Sequence, residues 1–190
     1  MINLRAKKVG VFTDSTLVHL APVKAVLDSL ARNQVNYVVY DQVRVEPTDQ
    51  SFQAAAEFAK REGLDTFLAV GGGSVMDTAK AANLYSSDPS AEFLDYVNAP
   101  IGAGKPVMCE LKPLVAVPTT SGTGSETTGV AVFDYEPLQG RNFTLRFSCL
   151  RYFLNSQSDQ TREGRAGYDS PLSSQDRHRQ PGPPASAGDC

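Results

Sequence analysis

The fold is decided by residues 67–84, FLAVGGGSVMDTAKAANL, in which an apolar run leads through three glycines into a helical pattern. Residues 67–70 are short and continuously apolar, which is typical of a strand that is buried on both faces of a sheet. Residues 74–84 are rich in helix formers. This stretch therefore predicts a strand, a tight glycine turn and a helix in direct succession.

Short apolar runs alternate with helical segments on both sides of this stretch. Four further strands are predicted, at residues 9–13, 37–40, 114–117 and 130–133. Residues 14–16 can cap a helix that follows the first strand, and another helix covers residues 51–62 and ends at Gly63. Strands that alternate with helices form parallel βαβ units, so the sequence predicts a doubly wound α/β domain with a mostly parallel sheet.

The composition of the 190 residues excludes several classes of protein. No run approaches the roughly 18 apolar residues of a membrane span, and a net charge of -3 argues against nucleic acid as the main partner. Three unclustered cysteines, Cys109, Cys149 and Cys190, form neither a disulfide framework nor a CxxC metal site. His19 and His178 are the only histidines, so this chain cannot build a three-histidine metal centre. The N-terminus carries no visible targeting signal.

The composition changes beyond the fifth predicted strand. Residues 141–190 contain seven Arg but no Lys, Val or Ile. From residue 155 onward, six of 36 residues are hydrophobic, too few to offset the entropy lost on ordering, so we expect this stretch to be disordered. An apolar patch at residues 143–154 can form a short strand or helix. The predicted domains are an α/β domain, residues 1–136, and a divergent tail, residues 137–190.

The first candidate site is the glycine turn after the third strand, because ligands of doubly wound sheets bind beyond the carboxyl ends of the strands. Glycines let a phosphate approach the backbone, and the amides at a helix N-terminus bind anions, so Gly72, Gly73 and Ser74 suit a pyrophosphate. An ordinary glycine-rich turn is an equally good interpretation of this motif alone. The motif matches neither GxGxxG nor the P-loop pattern GxxxxGK[ST].

Two further candidates follow the fourth and second strands. In the loop PTTSGTGSE, residues 118–126, the hydroxyls of Thr119, Thr120 and Thr123 can donate to phosphate or ribose oxygens. The alternative is a solvated loop. Asp41 ends the second strand, where an acid accepts hydrogen bonds from an adenosine ribose or simply forms a turn.

Asp77 and Lys80 lie three residues apart on the helix that follows the glycines. Asp77 is in the first turn, where the helix dipole favours a carboxylate. For such a spacing taken alone, an ion pair along the helix surface is the commoner explanation.

Together and in this order, the motifs are specific. Residues 70–84, VGGGSVMDTAKAANL, and residues 117–127, VPTTSGTGSET, resemble the paired signatures of the iron-type (group III) alcohol dehydrogenase family. Residues 12–17, FTDSTL, and residues 40–43, YDQV, are similar to the first two strand ends of that family. The resemblance covers residues 1–136 and is greatest to a mitochondrial transhydrogenase branch of the family.

The resemblance implies an enzyme with an α/β domain that binds NAD and a helical domain that carries a divalent metal, usually iron. The implied NAD contacts are Gly72, Gly73 and Ser74 with the pyrophosphate, Thr119, Thr120 and Thr123 along the nucleotide, Asp41 near the adenosine ribose, and Asp77 toward the nicotinamide. Asp41 favours NAD over NADP, because a carboxylate repels a 2′-phosphate.

The implied reaction is hydride transfer, in which the metal polarises a substrate oxygen and the nicotinamide carries the hydride. In the transhydrogenase branch, 4-hydroxybutyrate is oxidised to succinic semialdehyde and 2-oxoglutarate is reduced to 2-hydroxyglutarate. The family's metal ligands are one Asp and three His of the helical domain, and this chain stops resembling the family at about Pro137, before any of them. We therefore expect no metal ligand, no assigned catalytic residue and an incomplete enzyme.

The tail suggests the hypothesis that an alternative or out-of-frame C-terminus replaces the helical domain; the alternative is a genuine disordered tail on a short NAD-binding protein. Correspondingly, the alternatives to an oxidoreductase are a non-catalytic NAD-binding fragment and an unstable product with no biochemical role. The resemblance implies a mitochondrial location, whereas a chain translated as given is expected in the cytosol. The sequence leaves the oligomeric state open.

Overall fold

In the computed structural model, residues 6–138 and 141–146 are described. The strands are β1 (Val9–Phe12), β2 (Tyr37–Tyr40), β3 (Thr66–Gly71), β4 (Leu114–Pro118), β5 (Val130–Tyr135) and β6 (Arg141–Arg146). The helices are α1 (Ala21–Arg32), α2 (Asp49–Glu62) and α3 (Gly73–Ser87). Single 3₁₀ turns lie at Leu17–His19, Phe93–Asp95 and Glu136–Leu138.

Strands β1 to β4 form one parallel sheet in the order β2-β1-β3-β4. Helix α1 packs on one face of this sheet, and α2 and α3 pack on the other. The doubly wound α/β fold predicted from the sequence is therefore confirmed. Because the chain runs outward from β1 to β2 on one side and from β3 to β4 on the other, the topological switch point lies between the carboxyl ends of β1 and β3.

The strands are continuously apolar because each of their two faces meets a different core. Successive side chains of a strand point to opposite faces. Val9 and Val11 of β1 join Val23 of α1 in one buried cluster. Phe12 lies on the other face, where its ring stacks on that of Phe67 with the centroids 5.5 Å apart. Each fully buried side chain of this kind contributes about 1.5–3 kcal/mol of hydrophobic stabilisation.

Helix α2 shows how local sequence sets the helix ends. The Thr48 side chain accepts a hydrogen bond from the Ser51 amide at 3.3 Å, and the Thr48 amide donates to Ser51 Oγ at 2.8 Å. This capping box starts the helix two residues earlier than the sequence pattern predicts. Gly63 ends it in the left-handed conformation, with a φ of 60°.

The fifth strand forms as predicted, but it lies outside the parallel sheet. Strand β5 pairs antiparallel with β6 in a separate two-stranded sheet. One edge of β5 is tied to the loop before α2, where the Asp134 amide donates to the carbonyl of Pro47 at 2.8 Å. The apolar runs alone do not distinguish this arrangement from a fifth parallel strand.

Strand β6 lies beyond the predicted domain boundary at residue 137 and includes the first four residues of the apolar patch at 143–154. The rest of that patch and the predicted disordered stretch from residue 155 lie outside the described residues. Among the helices that the structure describes, none is long and apolar enough to cross a membrane.

Candidate functional site

The turn between β3 and α3 lies at the switch point of the sheet. Gly72 is the N-cap of α3 and has an extended backbone, and no side chain caps the helix. The first amides of an α-helix have no partner within the helix, so the start of α3 presents donors and a partial positive charge. A Cβ atom built on Gly71 would lie 2.5 Å from the Val75 side chain, which explains glycine at that position.

The hydroxyl-rich loop after β4 packs directly over this turn. The Thr119 amide donates to the carbonyl of Gly71 at 3.0 Å. A Cβ built on Gly72 would lie 2.9 Å from Thr120 Oγ1, and one built on Gly73 would lie 3.1 Å from Ser125 Oγ. The fold therefore brings the two sequence motifs into contact, and the glycines allow the loop to approach the helix N-terminus.

Two adjoining cavities meet at Gly73 and Ser74, which line both of them. The first has a volume of about 650 Å³. Its lining comprises Asp14, Thr16, Leu17, Pro22, Val43, Val45, Gly72, Gly73, Ser74, Val75, Thr119 and Thr120. The second has a volume of about 510 Å³. Its lining comprises Glu46, Pro47, Gly73, Ser74, Asp77, Thr123, Ser125, Val132, Phe133 and Asp134.

All the site residues predicted from the sequence, except one, line these two cavities. The first is lined by the candidates Gly72, Gly73, Ser74, Thr119 and Thr120, and the second by Gly73, Ser74, Asp77 and Thr123. Asp41 is exposed at the end of β2 and lines neither cavity.

Sequence reasoning missed several residues of the cavity walls. For Asp14 and Thr16 the sequence predicts a helix cap and a likeness to the family's first strand end, but no place in a cavity wall. The prediction that residues 14–16 cap the helix is wrong: α1 begins after Leu20 and has no side-chain cap. Asp14 Oδ1 instead accepts from the amides of Thr16 and Leu17, at 2.9 and 2.8 Å, in the turn before the 3₁₀ turn at Leu17–His19. The position of Asp14 and Thr16 directly after a strand was the signal for a role in the site as well. Glu46 and Asp134 carry no such signal in the sequence. They line the same cavity because β5 pairs with the loop before α2, which is far from it in the sequence.

Asp77 and Lys80 form a buried ion pair. Lys80 Nζ lies 3.1 Å from Asp77 Oδ1, and the two side chains are 0% and 9% exposed. Burial raises the pKa of the Asp77 carboxyl, although the charge of Lys80 opposes this, and burial lowers the pKa of Lys80 against the opposing charge of Asp77. The pairing that the sequence suggested is therefore present, but inside the molecule and beside the second cavity.

The charge of the cavity walls bears on what they can bind. Among the described residues that line the two cavities, none is Lys or Arg. Backbone amides at the start of α3 and hydroxyl groups are thus the available anion donors, and Glu46, Asp77 and Asp134 make the second cavity acidic.

The metal that the resemblance implies would need a group of acidic, histidine or cysteine side chains to bind it. In the described part of the chain, no three His, Cys, Asp or Glu side chains come together in a group that could hold a metal ion. These residues do not fit a metal centre.

Comparison with known proteins supports the resemblance seen in the sequence motifs. A family profile described as iron-containing alcohol dehydrogenase matches residues 1–150. Mitochondrial hydroxyacid-oxoacid transhydrogenase of Xenopus tropicalis is 66% identical over 139 residues, which are 73% of this chain and 30% of that protein. The Bos taurus protein of the same name is 66% identical over 137 residues, covering 72% of this chain and 29% of that protein.

Solved structures agree with the sequence comparison. Sulfoacetaldehyde reductase of Bifidobacterium kashiwanohense, in complex with NAD⁺, is 27% identical with a TM-score of 0.64, over 77% of this chain and 36% of that one. The chain thus spans about 30% of the length of the transhydrogenases that it matches. Its N-terminal resemblance to an oxidoreductase of this type is confirmed, and the chain belongs to the iron-containing alcohol dehydrogenase family.

Proposed function

We propose that this chain binds NAD in the two adjoining cavities at the start of α3. The observation that carries the proposal is the packing of the hydroxyl-rich loop over the glycine turn at the switch point of a parallel sheet. Such a site offers backbone amides and hydroxyls to a pyrophosphate, with no side chain on the glycines to block its approach.

The proposed contacts follow the sequence motifs. Gly72, Gly73 and Ser74 would donate backbone amides to the pyrophosphate. Thr119 and Thr120 line the first cavity and Thr123 the second, so their hydroxyls would lie along the nucleotide. Asp77 lines the second cavity, on the nicotinamide side in this proposal.

Asp41 has the least direct support of the eight residues. It would contact the adenosine ribose only if that part of the nucleotide extends beyond the first cavity toward the end of β2. Its carboxylate would then repel the 2′-phosphate of NADP, and the chain would prefer NAD.

Bound NAD would supply hydride transfer, the chemistry of the family's oxidoreductases. For the full-length relatives, whose name describes hydride exchange between a hydroxy acid and an oxo acid, we propose 4-hydroxybutyrate and 2-oxoglutarate as the substrates to test. Because the described residues hold no metal-binding group, we propose that the present chain binds the cofactor without catalysing the reaction. A mitochondrial location is proposed from the relatives alone.

Calorimetric titration of the full chain with NAD, NADH and NADP tests the proposal. Thr120→Val keeps the size of the side chain and removes a cavity hydroxyl, so we expect NAD to bind about two- to tenfold more weakly, the usual net value of one hydrogen bond. Thr127→Val is the matched control, because Thr127 lies in the same loop and lines neither cavity. The absence of heat with millimolar NAD would exclude the proposed site.

A further inference from the structure

At Val130 and Val132, the outer edge of β5 is held by side chains of α3, whereas Asp134, further along the same edge, is held by the backbone of Pro47. Lys80 Nζ donates to the carbonyl of Val130 at 2.7 Å. The Val132 amide donates to Asp77 Oδ2 at 3.0 Å. In an antiparallel pair, alternate residues direct their backbone groups to the same edge, so Val130 and Val132 present adjacent groups that the ion pair satisfies together.

Each of the three N–H groups of the Lys80 ammonium donates to an atom of the protein. Besides Val130, it donates to Asp77 Oδ1 at 3.1 Å and to Thr128 Oγ1 at 3.3 Å, which uses all three of its protons. Lys80 is completely buried and lines neither cavity, so it cannot reach a ligand bound in them.

The segment that Lys80 holds forms one wall of the proposed cofactor site. Thr123 and Ser125 come shortly before Thr128, and both pack against Gly73. Val132 and Phe133 also line the second cavity. Releasing the segment would move the hydroxyls and the strand residues away from the start of α3.

We infer that Lys80 is a positioning residue, which uses Asp77 to hold residues 123–132 against α3 and so keeps the second cavity shaped for its ligand. The inference rests on the proposed NAD site. Burying two charges is costly, and apolar side chains stabilise a fold at least as well. Apolar side chains, however, would leave the carbonyl of Val130 and the amide of Val132 without partners and would not fix the strand in this register.

Hydrogen exchange of the full chain without cofactor tests whether the pair holds the segment. In Lys80→Met we expect the amides of residues 123–132 to exchange about tenfold faster, because each buried hydrogen bond that is lost favours local opening. Lys8→Met is the control: it breaks the partly exposed ion pair of Lys8 with Glu62, 2.9 Å long, and neither residue lines a cavity. Unchanged exchange in Lys80→Met would overturn the inference.

Calorimetry with NAD then tests whether the held segment matters for binding. We expect about tenfold weaker binding for Lys80→Met and no change for Lys8→Met, measured well below the melting temperature of each variant. If Lys80→Met and Lys8→Met bind NAD with equal affinity, Lys80 does not shape the cavity for its ligand, and the inference is overturned.

Thr128→Val provides a milder variant if Lys80→Met does not fold. It removes one acceptor of Lys80 and keeps the ion pair, so exchange of residues 123–128 should rise and NAD binding should weaken about threefold; unchanged values would count against the inference. If the unaltered chain does not bind NAD, the proposed function fails, and the exchange measurement alone decides whether Lys80 holds this segment.

Discussion

Gly73 is the residue at which backbone geometry and the proposed binding chemistry meet. It is the first residue of α3, and it lines both cavities. A methyl group at this position would lie 3.1 Å from Ser125 Oγ and would occupy space beside the amides that the pyrophosphate is proposed to approach. For Gly73→Ala we expect NAD affinity to fall about tenfold, equivalent to about 1.4 kcal/mol. The free energy of unfolding should change by less than about 1 kcal/mol, since alanine suits a helix.

Gly63→Ala is the opposite case and serves as the control. Gly63 has a φ of 60°, where an added Cβ meets nothing within 4 Å but the backbone conformation disfavours any side chain. We expect this variant to lose about 1–2 kcal/mol of stability and to bind NAD normally. Calorimetry and urea unfolding of both variants check the pair of results. Normal NAD binding by Gly73→Ala would contradict the proposed role of Gly73, and weak binding by both variants would show that the loss is not specific to the site.

At the scale of elements, Thr48 joins two parts of the molecule. It caps α2, and it forms an isolated β-bridge with Asp134 of β5. For Thr48→Ala we expect a loss of about 1 kcal/mol from the missing cap, measured by urea unfolding. Thr48→Ser keeps the hydroxyl and should retain nearly all of the stability. If the serine variant loses as much as the alanine variant, the hydroxyl does not provide the stabilisation.

The elements themselves could be predicted where the deciding interactions are local. The end of α2 at Gly63 and the four parallel strands follow from residues within a few positions of each element. The separate position of β5 could not be predicted, because its edge is held by Pro47, Asp77 and Lys80, which are more than 40 residues away in the sequence. The same distance in sequence explains why Glu46 was missed as a wall of the second cavity.

At the scale of the whole molecule, the contact between the two motifs was predictable because the carboxyl ends of parallel strands lie at one edge of a doubly wound sheet. The motif after β3 and the motif after β4 therefore had to meet, and the contact of Thr120 with Gly72 is the result. Asp41 also lies at the carboxyl end of a strand, but that strand is β2. β2 is an outer strand of the sheet, two positions away from β3, so Asp41 does not reach the two motifs. The sequence does not reveal the order of the strands in the sheet, and this order determines that Asp41 lies apart from the two motifs.

The proposed cofactor site lies in a part of the chain where the described residues form no metal-binding cluster, so binding of NAD and of metal can be measured separately. His19 and His178 are the only histidines of the chain, and the described residues contain no cluster of three metal-binding side chains.

A ligand that binds only the folded state stabilises it by about 2.7 kcal/mol at a concentration of 100 times its Kd. We therefore expect NAD to raise the melting temperature of the chain and Fe²⁺ or Zn²⁺ to leave it unchanged, with no turnover of 4-hydroxybutyrate and 2-oxoglutarate under any of these conditions. Thermal unfolding and a cofactor-coupled assay check both points, with Gly73→Ala as the variant that should need about tenfold more NAD for the same rise in melting temperature. A saturable rise of the melting temperature with metal, or metal-dependent turnover, would contradict this prediction and show that the chain binds a metal ion.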